Sequence, residues 1–191
     1  MDILKKGAII IIAIVAVVLL LGGIGISKYN SFVKLKEQVN TALSNIDVAL
    51  ERRADLIPNL VNTVKGYAKH EQDVIDSVTT ARENLLKASS VEEKAQANSE
   101  LSTALNALAV VVEAYPDLKA NENFINIQDE LAGTENRIAI VRKDYNEVAT
   151  KYNTAISVFP ASIIAKMGNF ERVAYFEATE AKKDVPEVNF D

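Results

Sequence analysis

The chain has 191 residues, 21 basic and 26 acidic side chains, a formal charge of −5, and neither Cys nor Trp. That length fits one domain of ordinary size plus an anchor. The acidic balance argues against nucleic-acid binding, which needs a basic footprint over phosphates, and the lack of Cys excludes disulfides and thiolate metal sites.

A short segment, residues 1–6, precedes residues 7–26, GAIIIIAIVAVVLLLGGIGI, an uncharged and almost wholly apolar run. As a helix rising 1.5 Å per residue it reaches roughly 30 Å, the depth of a bilayer hydrocarbon core. A cleaved signal peptide has a shorter apolar region, about 7–15 residues, ending in an A-x-A-like site, and the Gly22-Gly23-Ile24-Gly25 exit has none. A retained transmembrane helix is therefore expected. Lys28 and Tyr29 suit the membrane interface, a snorkelling charge beside an amphipathic ring. Lys5 and Lys6 before the span nearly balance Lys28, Lys34 and Lys36 after it, so charge does not decide orientation.

Residues 27–159 read as a helical domain. Four Pro and seven Gly leave little material for turns, and apolar residues recur at steps of three and four. Val39, Leu43, Ile46 and Leu50 form one stripe; Leu60, Val64, Tyr67, Val74, Val78, Ala81 and Leu85 form the next. Between them Pro58 cannot donate to residue 54 and disfavours helix at Ile57. Asp55 is positioned to cap a new helix there, and a tight reversal is expected over one long helix kinked at Pro58, because a helix of roughly 60 residues would bury its stripe less easily. Ser90 with Glu93 fits a capping box for a third helix, which stops at Tyr115-Pro116. Asn121 is placed to cap a fourth. That helix carries Ile127, Leu131, Thr134, Ile138, Val141, Tyr145, Val148, Tyr152, Ala155 and Phe159, an unbroken coiled-coil-like 4-3 series. Four stripes with short connections predict an all-α chain: a transmembrane helix, then an up-and-down four-helix bundle of long helices.

Residues 160–191 read as an amphipathic C-terminal tail. Ile163, Ile164, Met167 and Phe170 lie among Lys166 and Arg172, fitting either a short helix closing the bundle or an element lying on the membrane. With Lys28 and Tyr29, these four are the membrane-interface candidates. Lys182–Asp191 is polar and expected to be loosely held.

Catalytic signals are weak. His70, the only histidine, has Val at the fourth position beyond it where a metalloprotease helix needs a second His, and reads as a solvated surface residue. There is no GxSxG, Walker loop or GxGxxG, and Asp129-Glu130 reads as solvated charge on a helix face. Arg52, Arg53 and Asp55 stand out beside the Pro58 break. Arg53 falls at or next to a core position and needs a carboxylate, with Glu135 or Asp55 the candidates. A structural ion pair fixing register is the plain reading of this group, and a partner-binding contact the sharper one.

Several blocks resemble the LemA family: Tyr29-Asn30-Ser31-Phe32-Val33, Arg52 through Val61 (RRADLIPNLV), Val64-Lys65-Gly66-Tyr67-Ala68, Glu130 through Ile138 (ELAGTENRI), Tyr145-Asn146, Tyr152-Asn153 and Phe159-Pro160. The resemblance covers nearly the whole chain. It implies an N-terminal anchor with a LemA-like four-helix bundle and no established enzymatic activity; the motif reading adds the expectation of no cofactor. Relatives are implicated in shaping invaginated bacterial membranes, and others are associated with a membrane-embedded heat-shock zinc protease. Some carry a lipobox Cys where this chain has Gly23-Ile24-Gly25. The expectation that follows is a single-pass protein of the bacterial cytoplasmic membrane, its domain leaning to the extracytoplasmic side. It would be a non-enzymatic scaffold that forms homo-oligomers and organises or remodels the membrane. The alternative is an adaptor of that protease. The expected partners are the lipid bilayer, further copies of the chain and the protease, without nucleic acid.

Overall fold

All regular structure among the described residues, 2–68 and 70–177 of a computed structural model, is helical. In chain order the elements are α1 (Asp2–Lys65), α2 (Gln72–Lys87), α3 (Val91–Val112), α4 (Pro116–Lys119), α5 (Glu122–Ser157) and α6 (Ala161–Met167). They divide into two compact units, residues 1–41 with 148–173 and residues 42–147 with 174–191.

The second unit is the four-helix bundle, built from α2, α3 and the adjoining stretches of α1 and α5. On α1 the buried line runs Ile46, Leu50, Arg53, Ile57, Leu60, Val64, stepping 4-3-4-3-4 straight through Pro58. The tight reversal expected at Pro58 is therefore corrected: the helix continues to Lys65, Asp55 caps nothing, and the next helix starts at Gln72. Proline removes one rung, because residue 58 has no N–H to offer the Ala54 carbonyl. Ala54 is fully buried, and Arg82 of α2 supplies the missing donor, its Nε bonding that oxygen at 2.8 Å. A helix interior tolerates the proline when a neighbouring element satisfies the carbonyl it strands.

The second apolar stripe is shared between two helices. Leu60 and Val64 finish α1, while Ile75, Val78, Ala81 and Leu85 are the buried line of α2. The capping box opens α3: Ser90 Oγ accepts from the Glu93 N–H at 3.1 Å, and Glu93 Oε2 accepts from the Ser90 N–H at 3.1 Å. The same carboxylate also takes the Ser89 N–H and hydroxyl, which holds it below the usual glutamate range. Asn121 Oδ1 accepts from the Phe124 N–H at 3.1 Å and caps α5. At that end of the bundle the two connections meet, through Tyr115 Oη to Glu71 and Asn121 to Tyr67 Oη.

The first unit holds the apolar stretch of α1. From Ile11 to Ile26 its large apolar side chains are exposed, as in a helix meant for lipid on every side. Among the described residues this is the one helix long and apolar enough to cross a membrane. Beyond it, Phe32 is buried, and Phe170 packs edge-on against both Tyr29 and Phe32, with ring centroids 5.2 and 5.4 Å apart. On α5 the buried line passes through Ala149, Tyr152 and Ile156 rather than holding the strict 4-3 series, the drift a helix of 3.6 residues per turn imposes. Phe159, the last member of the expected series, lies past the helix end and is 82% exposed. Among its described residues the tail is helical only over α6, and residues 171–177 contain no helix. Lys182–Asp191 lies outside the described residues.

Candidate functional site

Two polar constructions break the aliphatic core. The first is centred on Arg53, only 4% exposed and at a core position of α1. Its NH1 donates to Asn98 Oδ1 at 2.6 Å, and its NH2 donates to Ser102 Oγ at 3.1 Å and pairs with Glu135 Oε2 at 2.8 Å. One side chain thus joins α1, α3 and α5. Its Nε is buried without a partner. Burial lowers the guanidinium pKa from its ordinary value, and the Glu135 charge opposes that shift. Of the two carboxylates expected for Arg53, Glu135 is the one in contact, while Asp55 is exposed. Arg52 points outward and meets Glu130 at 3.5 Å, both side chains well exposed. Asn98 and Ser102 went unnoticed in the sequence, although Asn98 interrupts the apolar series between Ala95 and Leu101.

Beside Arg53 a groove of about 470 Å³ opens between α3 and α5, with Leu60 of α1 contributing to its wall. Leu105, Leu108, Phe124 and Leu131 make it apolar; Ser102 and Gln128 add polar edges. A cation already neutralised by Glu135 and a set of aliphatic walls provide a seat for an apolar group. Among the described residues no three of His, Asp or Glu converge to hold a metal ion, and His70 is exposed.

The second construction uses the two Tyr-Asn pairs of α5. In the first unit Tyr152 Oη donates to the Glu171 carbonyl at 2.9 Å, and Asn153 pairs its amide with both the N–H and the C=O of Val173. In the second unit Tyr145 Oη donates to the Ala174 carbonyl at 2.8 Å, and Asn146 pairs likewise with Phe176. Each asparagine imitates the edge of a β-strand, offering one donor and one acceptor to extended backbone. Phe176 is buried with the Arg142 guanidinium over its ring at 5.3 Å. Burial raises both tyrosine pKa values, with lesser contributions from Glu92 at Tyr145 and Glu171 at Tyr152. Residues 171–176 are therefore clamped onto α5 rather than forming an amphipathic helix. Of the interface candidates, Lys28, Tyr29, Ile163 and Met167 are exposed, whereas Ile164 and Phe170 are half-buried, Phe170 against the rings of Tyr29 and Phe32.

The Arg53 block, the ELAGTENRI block and both Tyr-Asn pairs lie within residues 42–190, the stretch matched by the LemA family profile. The chain belongs to the LemA family. Two magnetosome proteins of Paramagnetospirillum magneticum, MamQ 1 and MamQ 2, are each 28% identical, over 91% of this chain and 73% of theirs. Protein LemA of Metamycoplasma hominis is 28% identical over 83% of this chain and 73% of its own. Within this LemA-family chain both polar constructions are thus built from family-matched sequence, while the apolar span lies before the matched residues. The chain is a membrane-associated helical protein.

Proposed function

We propose that this protein is a non-enzymatic, membrane-anchored helical scaffold that self-associates and organises or remodels the bacterial membrane holding it. The observation that carries this reading is the continuity of α1: the helix with lipid-suited side chains from Ile11 to Ile26 is the same helix that contributes Arg53 and the Ile57–Leu60–Val64 line to the bundle. The buried Arg53 joins three helices of the bundle to one another, which supports a structural reading of that unit. Two relatives are named for the magnetosome, which supports a role tied to a membrane structure. Sizing of the detergent-extracted full chain tests the proposal. Discrete multimers are expected; a monomer across the working concentration range removes the self-association. Crosslinking in native membranes extends the test, since self-crosslinks are expected, and crosslinks to a membrane protease alone would favour an adaptor instead.

A further inference from the structure

The short helix α6 is amphipathic in the reverse sense for a water-soluble unit. Its inward positions are the alanines Ala161 and Ala165, 5% and 2% exposed. Ile163 and Met167 lie about half a turn away, at 100° per residue, and are 53% and 81% exposed. Phe159, four residues before Ile163, is 82% exposed, and Val158 beside it 50%. A soluble face of this kind buries its isoleucine, methionine and phenylalanine and shows its alanines to water.

This face adjoins the membrane span. A Cβ on Gly168, the residue after Met167, would lie 2.7 Å from the Phe170 ring and 3.1 Å from the Tyr29 ring. The end of α6 is thus held against Tyr29 at a distance that glycine permits, and Tyr29 follows the last apolar residue of the span, Ile26, by three positions. Charge is sorted in the same way. Residues 28–41 and 148–173 carry six basic side chains (Lys28, Lys34, Lys36, Lys151, Lys166, Arg172) against Glu37 and Glu171, a local net of +4 in a chain of net −5.

We infer that Phe159, Ile163 and Met167 form a second membrane contact, a foot that seats in the bilayer interface beside the span, with the surrounding basic side chains on anionic headgroups. This deepens the anchored-scaffold reading and rests on its membrane anchor. It assigns Phe159, outside the interface candidates named from sequence, a leading part, and it removes Phe170 from the lipid contact.

The absence of Trp makes an introduced one a unique reporter. The full chain is reconstituted in vesicles of phosphatidylcholine and phosphatidylglycerol, with and without brominated acyl chains, as Phe159→Trp and Met167→Trp. Val17→Trp reports on the span, and Val110→Trp, at a site 74% exposed on α3, reports on water. Blue-shifted emission and bromine quenching are expected for Phe159→Trp and Met167→Trp, with neither for Val110→Trp. Solvent-like, unquenched emission from both foot reporters while Val17→Trp is quenched would overturn the foot and leave the anchor standing. An unquenched Val17→Trp would instead remove the anchor itself. Blue-shifted but unquenched foot reporters that turn solvent-like on dilution into excess lipid would mean a second copy covers the face, which also overturns the lipid assignment.

Discussion

Arg53 and its partners differ in how they meet water, and that difference fixes what each substitution does. The guanidinium is buried, Glu135 is half-exposed, and Asn98 is buried. Replacing Arg53 with Ala leaves Asn98 unsatisfied and opens space in the core, a loss of about 3 kcal/mol. Glu135→Ala exposes the guanidinium to incoming water and costs only about 1 kcal/mol. Urea unfolding of both variants checks the order, and equal losses would contradict it. The tyrosines give a pH test. Their pKa values are raised in the folded state, so their contribution is complete below the ordinary tyrosine pKa and is lost as pH rises through the raised values. Each hydroxyl donates to a backbone carbonyl of the tail, and a phenolate cannot. Tyr145→Phe and Tyr152→Phe should each cost about 1 kcal/mol at neutral pH and flatten the alkaline loss of stability, read as unfolding free energy against pH.

At the scale of elements, the tie between Pro58 and Arg82 is a claim about one carbonyl. Arg82→Met keeps the aliphatic stem and removes the donor, leaving the buried Ala54 oxygen unpaired at a cost of about 1–2 kcal/mol. In a Pro58→Ala background the restored N–H satisfies that oxygen, and the Arg82→Met cost should fall below about 0.5 kcal/mol, a coupling that a double-mutant cycle reads directly. Additive effects would refute the tie. This tie also explains what the sequence shows and what it conceals. Helical class, the apolar span, the Ser90–Glu93 box and the Asn121 cap are local patterns, visible within a few residues. The passage of α1 through Pro58 was legible only in the 4-3-4-3-4 line from Ile46 to Val64, and that line requires counting Arg53 as a core residue. The donor that permits it sits 28 positions from Ala54 on another helix, beyond any local rule. The Tyr-Asn pairs were equally visible as a seven-residue repeat, yet their partners are main-chain atoms of residues 171–176, which carry no sequence signal. Glu135 was reachable because an antiparallel fourth helix brings its middle back to Arg53; Asn98 and Ser102 needed the placement of α3 as well.

Across the whole molecule, charge and apolar surface are sorted along the chain: an apolar span, net-positive residues 28–41 and 148–173, and an acidic remainder. Lateral assembly and membrane organisation are the functional reading of that distribution, and sizing in detergent tests only the first. Electron microscopy of the full-length protein reconstituted in lipid vesicles tests both at once. The account predicts ordered multimeric particles on vesicles whose curvature departs from protein-free controls. Isolated monomers dispersed over vesicles indistinguishable from those controls would contradict it.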